Sequence, residues 1–340
     1  MDGILEKKNI YMMVLMLFLS FGSIFILMRI SGFEGIKEAL EIKPVYILFI
    51  LTIVILSLIV DTLRIKNLLS ALGEVLPFAY LFKFNLSTFF IGYITPFGSG
   101  ALPLTLYLMN KKNISPNKSL MIFTVKLLFS GIFFGTVPPI LLIFFRKQLE
   151  LGATLSAFAI LVSIVLILLL ILLIYIILKP QFIIYIVNKV EEIPFIKKRN
   201  YNIFFETTRN EIIQYHKNFQ DLFKVSSGAK FFLAQLFYAI IFWLLFYSIA
   251  PILLIAMGVK FNLLSIIGRQ LIFYDILAYS FIPSGAGVVE VGFASIFSNI
   301  LPKVLLGIFV GIWRFFTYYV YLIASAIGFF LLMKGKDIVN

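Results

Sequence analysis

The stretch Ile282-Pro283-Ser284-Gly285-Ala286-Gly287-Val288-Val289-Glu290 breaks a long apolar run with one proline and two glycines, and a carboxylate follows at once. Hydrocarbon tolerates irregular backbone only where protein or a water-filled cavity covers it. The same Pro-x-Gly-x-Gly pattern, called here the glycine phrase, occurs earlier as Thr95-Pro96-Phe97-Gly98-Ser99-Gly100. With 12 Pro and 21 Gly in 340 residues, chance predicts roughly 0.05 copies, so two copies indicate an internal duplication.

The residues that flank the two glycine phrases keep the same register. Each phrase has a cation upstream, a proline downstream and a second cation in the next apolar run: Lys83, Pro116 and Lys126 for the first copy, and Arg269, Pro302 and Arg314 for the second. Together with the phrase prolines, these features repeat at an offset of 186 to 188 residues. The chain is therefore predicted to have two related halves.

The composition is that of a polytopic membrane protein, with 61% hydrophobic and 13% charged residues and a mean hydropathy of +1.06. The net charge of +13 comes mostly from cations in short loops between apolar runs, which favours anionic lipid headgroups over nucleic acid as the partner. The absence of cysteine excludes disulfides and thiolate metal sites, and no cofactor is expected.

Six apolar runs are long enough to span a bilayer, which takes about 20 residues. They are 10–28, 44–63, 119–145, 153–178, 231–257 and 304–333. Regions 75–109 and 262–301 are broken by the glycine phrases and are predicted to be helical hairpins, either re-entrant or crossing twice. The predicted fold is an all-α polytopic membrane protein with about six full spans and two broken helical hairpins.

Loop charges predict the orientation. If the N-terminus is cytoplasmic, inside segments hold 18 cations and outside segments 7, so both termini are expected inside. Three full spans separate the hairpins, so the repeat is inverted, as in many transporters. We divide the chain into a first transmembrane half (1–179), a cytoplasmic amphipathic linker (180–230) and a second transmembrane half (231–340).

The linker contains a predicted amphipathic helix. Its apolar face repeats at spacings of three and four residues, through Phe204, Thr208, Ile212, Tyr215, Phe219 and Phe223. Nine cations between Lys179 and Lys230 favour a helix that lies on the inner leaflet, and a helix packed under the bundle is the alternative. The single histidine, His216, is expected to be solvated here, and no motif of an enzyme is present, so catalysis is not expected.

Six charged residues lie inside apolar runs, where each costs about 2.5 to 3.5 kcal/mol if it faces lipid. They are Lys83, Lys126, Arg269, Asp275, Glu290 and Arg314. Cations exceed carboxylates by four to two in this set, which predicts an anionic ligand. The alternative is a set of buried ion pairs, such as one between Arg269 and Asp275.

The glycine phrases are the second predicted anion-binding element. A glycine-rich turn that opens a helix points backbone N–H groups at one place, where the helix dipole adds about half a positive charge. This predicts binding roles for Pro96, Gly98, Gly100, Pro283, Gly285 and Gly287, and a plain helix break is the alternative reading.

The two predicted half-sites differ, because Glu290 follows the second phrase whereas Leu102 and Pro103 follow the first. Glu290 has three candidate roles: it holds a cationic group of the ligand, carries a proton, or neutralises Arg314. Thr317 and Tyr318 lie one turn beyond Arg314 and are candidates to hydrogen-bond the same ligand.

Several of these motifs carry a family resemblance. Pro283-x-Gly285-x-Gly287-x-x-Glu290, Trp313-Arg314-x-x-Thr317-Tyr318, Asp61-x-Leu63-Arg64 and Thr95-Pro96-x-Gly98-Ser99-Gly100 together resemble the flippase-like transmembrane domain of lysylphosphatidylglycerol synthases, in its stand-alone form. The resemblance covers essentially the whole chain and implies translocation of an aminoacylated or other anionic lipid. The aminoacyl-transfer domain is missing, so aminoacyl transfer by this chain is not expected.

We therefore predict a lipid flippase-like protein of a prokaryotic cell membrane, which moves an anionic or aminoacylated phospholipid, or a polyprenyl-linked lipid, between leaflets. The ligand site is formed by the phrase residues with Lys126, Glu290, Arg314, Thr317 and Tyr318, and a second tier consists of Arg64, Lys83, Arg269 and Asp275. A non-transporting partner of a lipid- or glycan-modifying enzyme and a small-solute or ion transporter remain alternatives. A homo-oligomer and a separate lipid-modifying enzyme also stay open.

Overall fold

The computed structural model describes residues 7–95, 98–197, 201–224, 228–277 and 285–334, and every regular element within these ranges is a helix. In chain order the helices are α1 (Lys7–Ser31), α2 (Gly35–Leu40), α3 (Pro44–Ala71), α4 (Phe78–Ile94), α5 (Ala101–Asn110), α6 (Pro116–Phe144), α7 (Arg146–Leu149), α8 (Ala153–Leu178), α9 (Pro180–Glu191), α10 (Pro194–Lys197), α11 (Asn202–Lys224), α12 (Gly228–Ala256), α13 (Leu263–Leu277), α14 (Val288–Phe297), α15 (Lys303–Arg314) and α16 (Val320–Lys334), with a π-helical turn at Phe315–Tyr319 between the last two.

Five helical stretches are long and apolar enough to cross a membrane: α3, α6, α8, α12 and the continuous stretch from α15 to α16. They coincide with five of the six predicted spans. The sixth predicted run lies in α1, whose described apolar part is Leu17–Ser31. The prediction of an all-α polytopic membrane protein is confirmed.

The two broken regions are re-entrant hairpins. The first consists of α4 with 17 residues and α5 with 10, and the second of α13 with 15 and α14 with 10. A helix of 10 residues rises about 15 Å, which is half of the roughly 30 Å hydrocarbon core. Because α5 and α14 are too short to cross, the re-entrant arrangement is the one of the two predicted arrangements that fits their lengths.

The duplication is visible in the helices themselves. In the first repeat α3, α4, α5 and α6 begin at residues 44, 78, 101 and 116, and in the second α12, α13, α14 and α15 begin at 228, 263, 288 and 303, so corresponding helices are 184 to 187 residues apart. The packing follows the same symmetry. The corresponding helices α3 and α12 pack along each other, α4 packs on α16, which continues α15, and its counterpart α13 packs on α6. The hairpins are separated by the spans α6, α8 and α12, and they therefore enter from opposite faces of the membrane.

The linker forms three helices, of which α11 is the long amphipathic one. It packs against α6, α8, α9 and α12 and buries Phe205, Phe219 and Leu222, so it lies under the bundle, as in the second of the two predicted arrangements. Burial raises the pKa of Tyr215 to about 12. His216 is half-buried, and its Nδ1 lies 2.9 Å from the Ile177 carbonyl oxygen, to which it donates, so the expectation of a solvated histidine was wrong.

Candidate functional site

A cavity of about 550 Å³ lies between the two repeats, and we call it the central cavity. Three pairs of corresponding helices line it, α3 with α12, α4 with α13 and α6 with α15, and each glycine phrase contributes one glycine. The charged wall residues are Asp61, Arg64, Lys126 and Arg314, and the aromatic ones are Phe89, Tyr93, Phe242, Trp243, Phe246, Tyr274, Tyr318 and Tyr321.

Lys126 of α6 supplies the cation of the first half. Its Nζ donates to Asp61 Oδ2 over 2.6 Å and to Asn85 Oδ1 over 3.5 Å, and it lies 5.5 Å from the ring centroid of Phe89. Asp61 is only 2% exposed, whereas the Lys126 side chain is 27% exposed. The pair therefore leaves the Lys126 side chain partly exposed, on the wall of the central cavity.

Arg64 lies one turn after Asp61 on α3 and is fixed by backbone and amide acceptors. Its Nη2 donates to the Lys126 carbonyl oxygen over 2.9 Å, and its Nε donates to Gln235 Oε1 over 3.4 Å. Gln235 in turn donates to the Arg64 carbonyl oxygen and to Asn67 Oδ1. This second-tier residue thus joins α3, α6 and α12 while it also lines the central cavity.

Arg314 supplies the cation of the second half, and its surroundings are closed. Its Nε donates to Glu290 Oε1 over 2.8 Å, and the two side chains are 5% and 0% exposed. Glu290 also accepts from the Gly287 backbone N–H over 2.7 Å and from the Ser20 hydroxyl of α1, which itself accepts from Tyr319 over 2.7 Å. Of the three candidate roles for Glu290, neutralising Arg314 is the one that this geometry provides, and Glu290 is not among the wall residues of the central cavity.

The π-helical turn directly after Arg314 positions two more predicted residues. Such turns insert one extra residue and are frequent at functional sites. The guanidinium carbon of Arg314 lies 4.3 Å from the ring centroid of Tyr318, within the range of a cation–π contact. The hydroxyl of Thr317 donates to the Trp313 carbonyl oxygen. Both Thr317 and Tyr318 line the central cavity together with Arg314, and their predicted role in hydrogen-bonding a ligand stays a prediction.

The glycine phrases form matching turns, but their amides are mostly used within the protein. Gly98 and Gly285 both line the central cavity and have φ angles of +65° and +64°, the left-handed region that glycine adopts without strain. The N–H groups of Gly98, Gly100 and Gly287 donate to Thr95 O, Thr95 Oγ1 and Glu290 Oε2. The predicted cradle of free amides is therefore not formed by these three groups. Pro96 and Pro283 lie outside the described residues.

The other charged residues of the second tier lie away from the central cavity. Arg269 donates to Glu150 Oε2 over 3.1 Å, to the Ile296 carbonyl oxygen and to Asn299 Oδ1, so it ties the two arms of the second hairpin to the α7–α8 loop. The alternative of an Arg269–Asp275 pair is wrong, because residues six positions apart point to different sides of a helix and Arg269 pairs with Glu150 instead. Asp275 is 2% exposed, and neither carboxylate oxygen has a hydrogen-bond partner among the described residues. Lys83 is half-buried and is not part of the cavity wall.

Sequence reasoning missed two residues of the site. Asp61 lies inside the apolar run 44–63, and it should have been counted with the buried charges by the same rule that selected Glu290. Ser20 has no such signal, because a serine is common in apolar helices. Within the described ranges, no group of three His, Asp or Glu side chains is placed to hold a metal ion.

An all-helical membrane fold with two opposed re-entrant hairpins around a charged cavity defines the class of inverted-repeat membrane proteins. Within that class, the chain belongs to the family described as the lysylphosphatidylglycerol synthase TM region, which matches residues 13–325. The family resemblance seen in the sequence is thereby confirmed.

The chain is also similar to a UPF0104 membrane protein of Archaeoglobus fulgidus. The two are 23% identical over 284 residues, which cover 82% of this chain and 84% of the relative. The similarity therefore extends over most of both chains.

Proposed function

We propose that this protein moves anionic phospholipids between the leaflets of a cell membrane and that the phosphate group crosses through the central cavity. The observation that carries the proposal is the charge of the cavity, which lies between membrane-spanning helices. Three cations and one carboxylate line it, and Glu290 directly behind Arg314 adds a second carboxylate. One positive charge remains in excess.

This balance suits a phosphodiester, which carries a single negative charge. An unpaired charge within a membrane is expensive, so a site with one excess cation gains most from a ligand with one negative charge. The partly exposed side chain of Lys126 is the natural first contact, since Arg314 is held by Glu290 and the ring of Tyr318. No step of this process needs a covalent reaction, so catalysis forms no part of the proposal.

The test is a flipping assay in proteoliposomes that contain fluorescent phosphatidylglycerol, with dithionite used to measure the outer-leaflet fraction. Lys126→Gln should slow flipping at least about tenfold, which corresponds to about 1.4 kcal/mol of barrier. Lys118→Gln is the matched control, because Lys118 lies on the same helix, is also 27% exposed and is paired with a carboxylate, Glu74, but does not line the central cavity.

Three outcomes would reject the proposal. Equal slowing in both lysine variants would show that the cavity charge is not specific. Equal rates for fluorescent phosphatidylcholine and phosphatidylglycerol would exclude selection of an anion. The third outcome is a wild-type protein that flips no lipid. Uptake of glycerol phosphate by that protein would then indicate a small-solute transporter, and no uptake would favour a non-transporting partner of a lipid-modifying enzyme.

A further inference from the structure

A second cavity of about 400 Å³ lies between α4, α5 and α6, and we call it the side crevice. It shares five wall residues with the central cavity: Phe89, Tyr93, Gly98, Lys126 and Ser130. The two cavities are thus neighbours separated by the Lys126 side chain and the ring of Phe89, whose centroid lies 5.5 Å from Lys126 Nζ.

The wall of the side crevice is apolar beyond Lys126. It includes Ile65, Phe84, Ile122 and Leu127. Two threonines also line it, but their hydroxyls are satisfied within their own helices, since Thr88 donates to the Asn85 carbonyl oxygen and Thr105 to the Ala101 carbonyl oxygen, both over 2.8 Å. The hydroxyls of Tyr93 and Ser130 lie on the part of the wall that is shared with the central cavity, so the rest of the side crevice is suited to hydrocarbon.

The outer edge of the side crevice reaches the lipid-facing surface of the protein. Phe123 and Leu127 belong to its wall and are nevertheless 37% and 50% exposed. Both lie on the membrane-spanning helix α6. The side crevice therefore leads from the exposed apolar face of α6 to the ammonium group of Lys126.

We infer that the side crevice binds one acyl chain of the phospholipid whose phosphate occupies the central cavity. This inference rests on the proposed function. A headgroup inside the protein stays covalently attached to its chains, and these must remain in an apolar environment throughout. The side crevice provides that path, with Lys126 placed where the polar and apolar parts of one lipid meet.

The corresponding place in the second repeat is filled. There the rings of Phe293 and Trp313 are stacked with centroids 3.4 Å apart, and Phe273, Phe297 and Phe309 pack around Phe293. These side chains occupy the space between α13, α14 and α15. Within the described residues, the acyl-chain site is therefore present in the first repeat and filled by aromatic side chains in the second.

Gly92 offers a way to close the side crevice with little disturbance. It lies on α4 in the crevice wall, and a Cβ added there would meet only the Ala101 Cβ, at 4.0 Å. Gly92→Trp should therefore fill the crevice. Gly22→Trp is the matched control, because Gly22 lies in the helix α1, has no atom within 4 Å of an added Cβ, and lines neither cavity.

The experiment uses phosphatidylglycerol with a photoreactive group in the middle of one acyl chain, reconstituted with the full chain. In the wild type, cross-links should concentrate on the crevice wall near Phe123 and Leu127. Gly92→Trp should lower this labelling and the flipping rate about tenfold, equivalent to about 1.4 kcal/mol, while Gly22→Trp should not. Binding of water-soluble glycerophosphoglycerol should be the same in all three proteins.

Labelling spread evenly over α6 and the exposed face of α8, or unchanged by Gly92→Trp, would overturn the inference even if the wild type flips lipid. Loss of glycerophosphoglycerol binding in Gly92→Trp would also overturn it, because the substitution would then act on the headgroup site. Absence of flipping with crevice-specific labelling would reject the proposed function and leave an acyl-chain site.

Discussion

The two cation–carboxylate pairs of the central cavity occupy related positions in the two repeats but are built differently. Lys126 is paired with Asp61 of the preceding span α3, whereas Arg314 is paired with Glu290 of α14, in the hairpin of the same repeat. The Lys126 side chain is 27% exposed and the Arg314 side chain is 5% exposed. Glu290 has three donors, and one of them, Ser20, comes from α1 outside the repeat. The two repeats thus share the arrangement of their helices, but the pair of the second repeat is closed whereas the pair of the first is accessible.

The space between the helices around each pair is likewise open in the first repeat and closed in the second. The first hairpin leaves the side crevice open between α4, α5 and α6, while aromatic rings fill the equivalent space in the second. A close-packed wall resists rearrangement, since interiors pack at the density of organic crystals. If the protein moves lipid as proposed, the first hairpin is the part expected to rearrange, and substitutions in both halves test this difference.

The largest effect is expected from Glu290→Gln. It leaves the Arg314 charge buried without its carboxylate, and breaking such a pair costs about 3 to 5 kcal/mol of stability. Unfolding in detergent can be followed by tryptophan fluorescence, because Trp313, one of only two tryptophans, stacks on Phe293 close to the pair. A loss below about 1 kcal/mol, as for exposed pairs, would show that the second half is not sealed.

A smaller loss is expected from Asp61→Asn, about 1.5 to 3 kcal/mol, the range for a hydrogen bond to a charged group. The Lys126 side chain is partly exposed, so water can reach it when its carboxylate is removed. Denaturant titration of both variants under the same conditions gives the comparison directly. A loss equal to or greater than that of Glu290→Gln would remove the distinction between an open and a closed pair.

The losses of unfolding free energy expected for these two variants depend on the partners of the charged residues, and the sequence reveals those partners only in part. The spans, the hairpins and the inverted repeat could be predicted because apolar length, loop charge and the glycine phrases are properties of the chain itself. The residues Arg314, Thr317 and Tyr318 were also predicted to share a site, since they lie within one turn of each other. Two of the ion pairs could not be assigned, because Lys126–Asp61 and Arg269–Glu150 join residues 65 and 119 positions apart. Contacts at such separations follow from packing and not from local pattern.

Substitutions at the corresponding glycines Gly98 and Gly285 distinguish the energetic cost of backbone strain from that of side-chain packing. Both have φ near +65°, so alanine should cost about 1 to 2 kcal/mol at either position. At Gly285 the added Cβ would also collide with the Val289 side chain, whereas at Gly98 the nearest atoms, in Gly92, are 3.9 Å away. Gly285→Ala is therefore expected to be less stable than Gly98→Ala by about 1 kcal/mol. Equal unfolding midpoints would indicate that the second turn is as loosely packed as the first.

The smallest effect concerns Ser20, the only described residue of α1 that hydrogen-bonds Glu290. Ser20→Ala removes the link between Tyr319 and Glu290 and should cost about 0.5 to 1.5 kcal/mol. Ser23→Ala is the matched control, because Ser23 lies one turn further on α1 and donates only to the Ser20 carbonyl oxygen of its own helix. If the second pair is held from outside its repeat, the two thermal unfolding curves separate, and the Ser20 variant melts first. Coincident curves would mean that Arg314 and Gly287 alone fix Glu290, in which case the closed half-site is a product of the duplicated unit and α1 adds nothing to it.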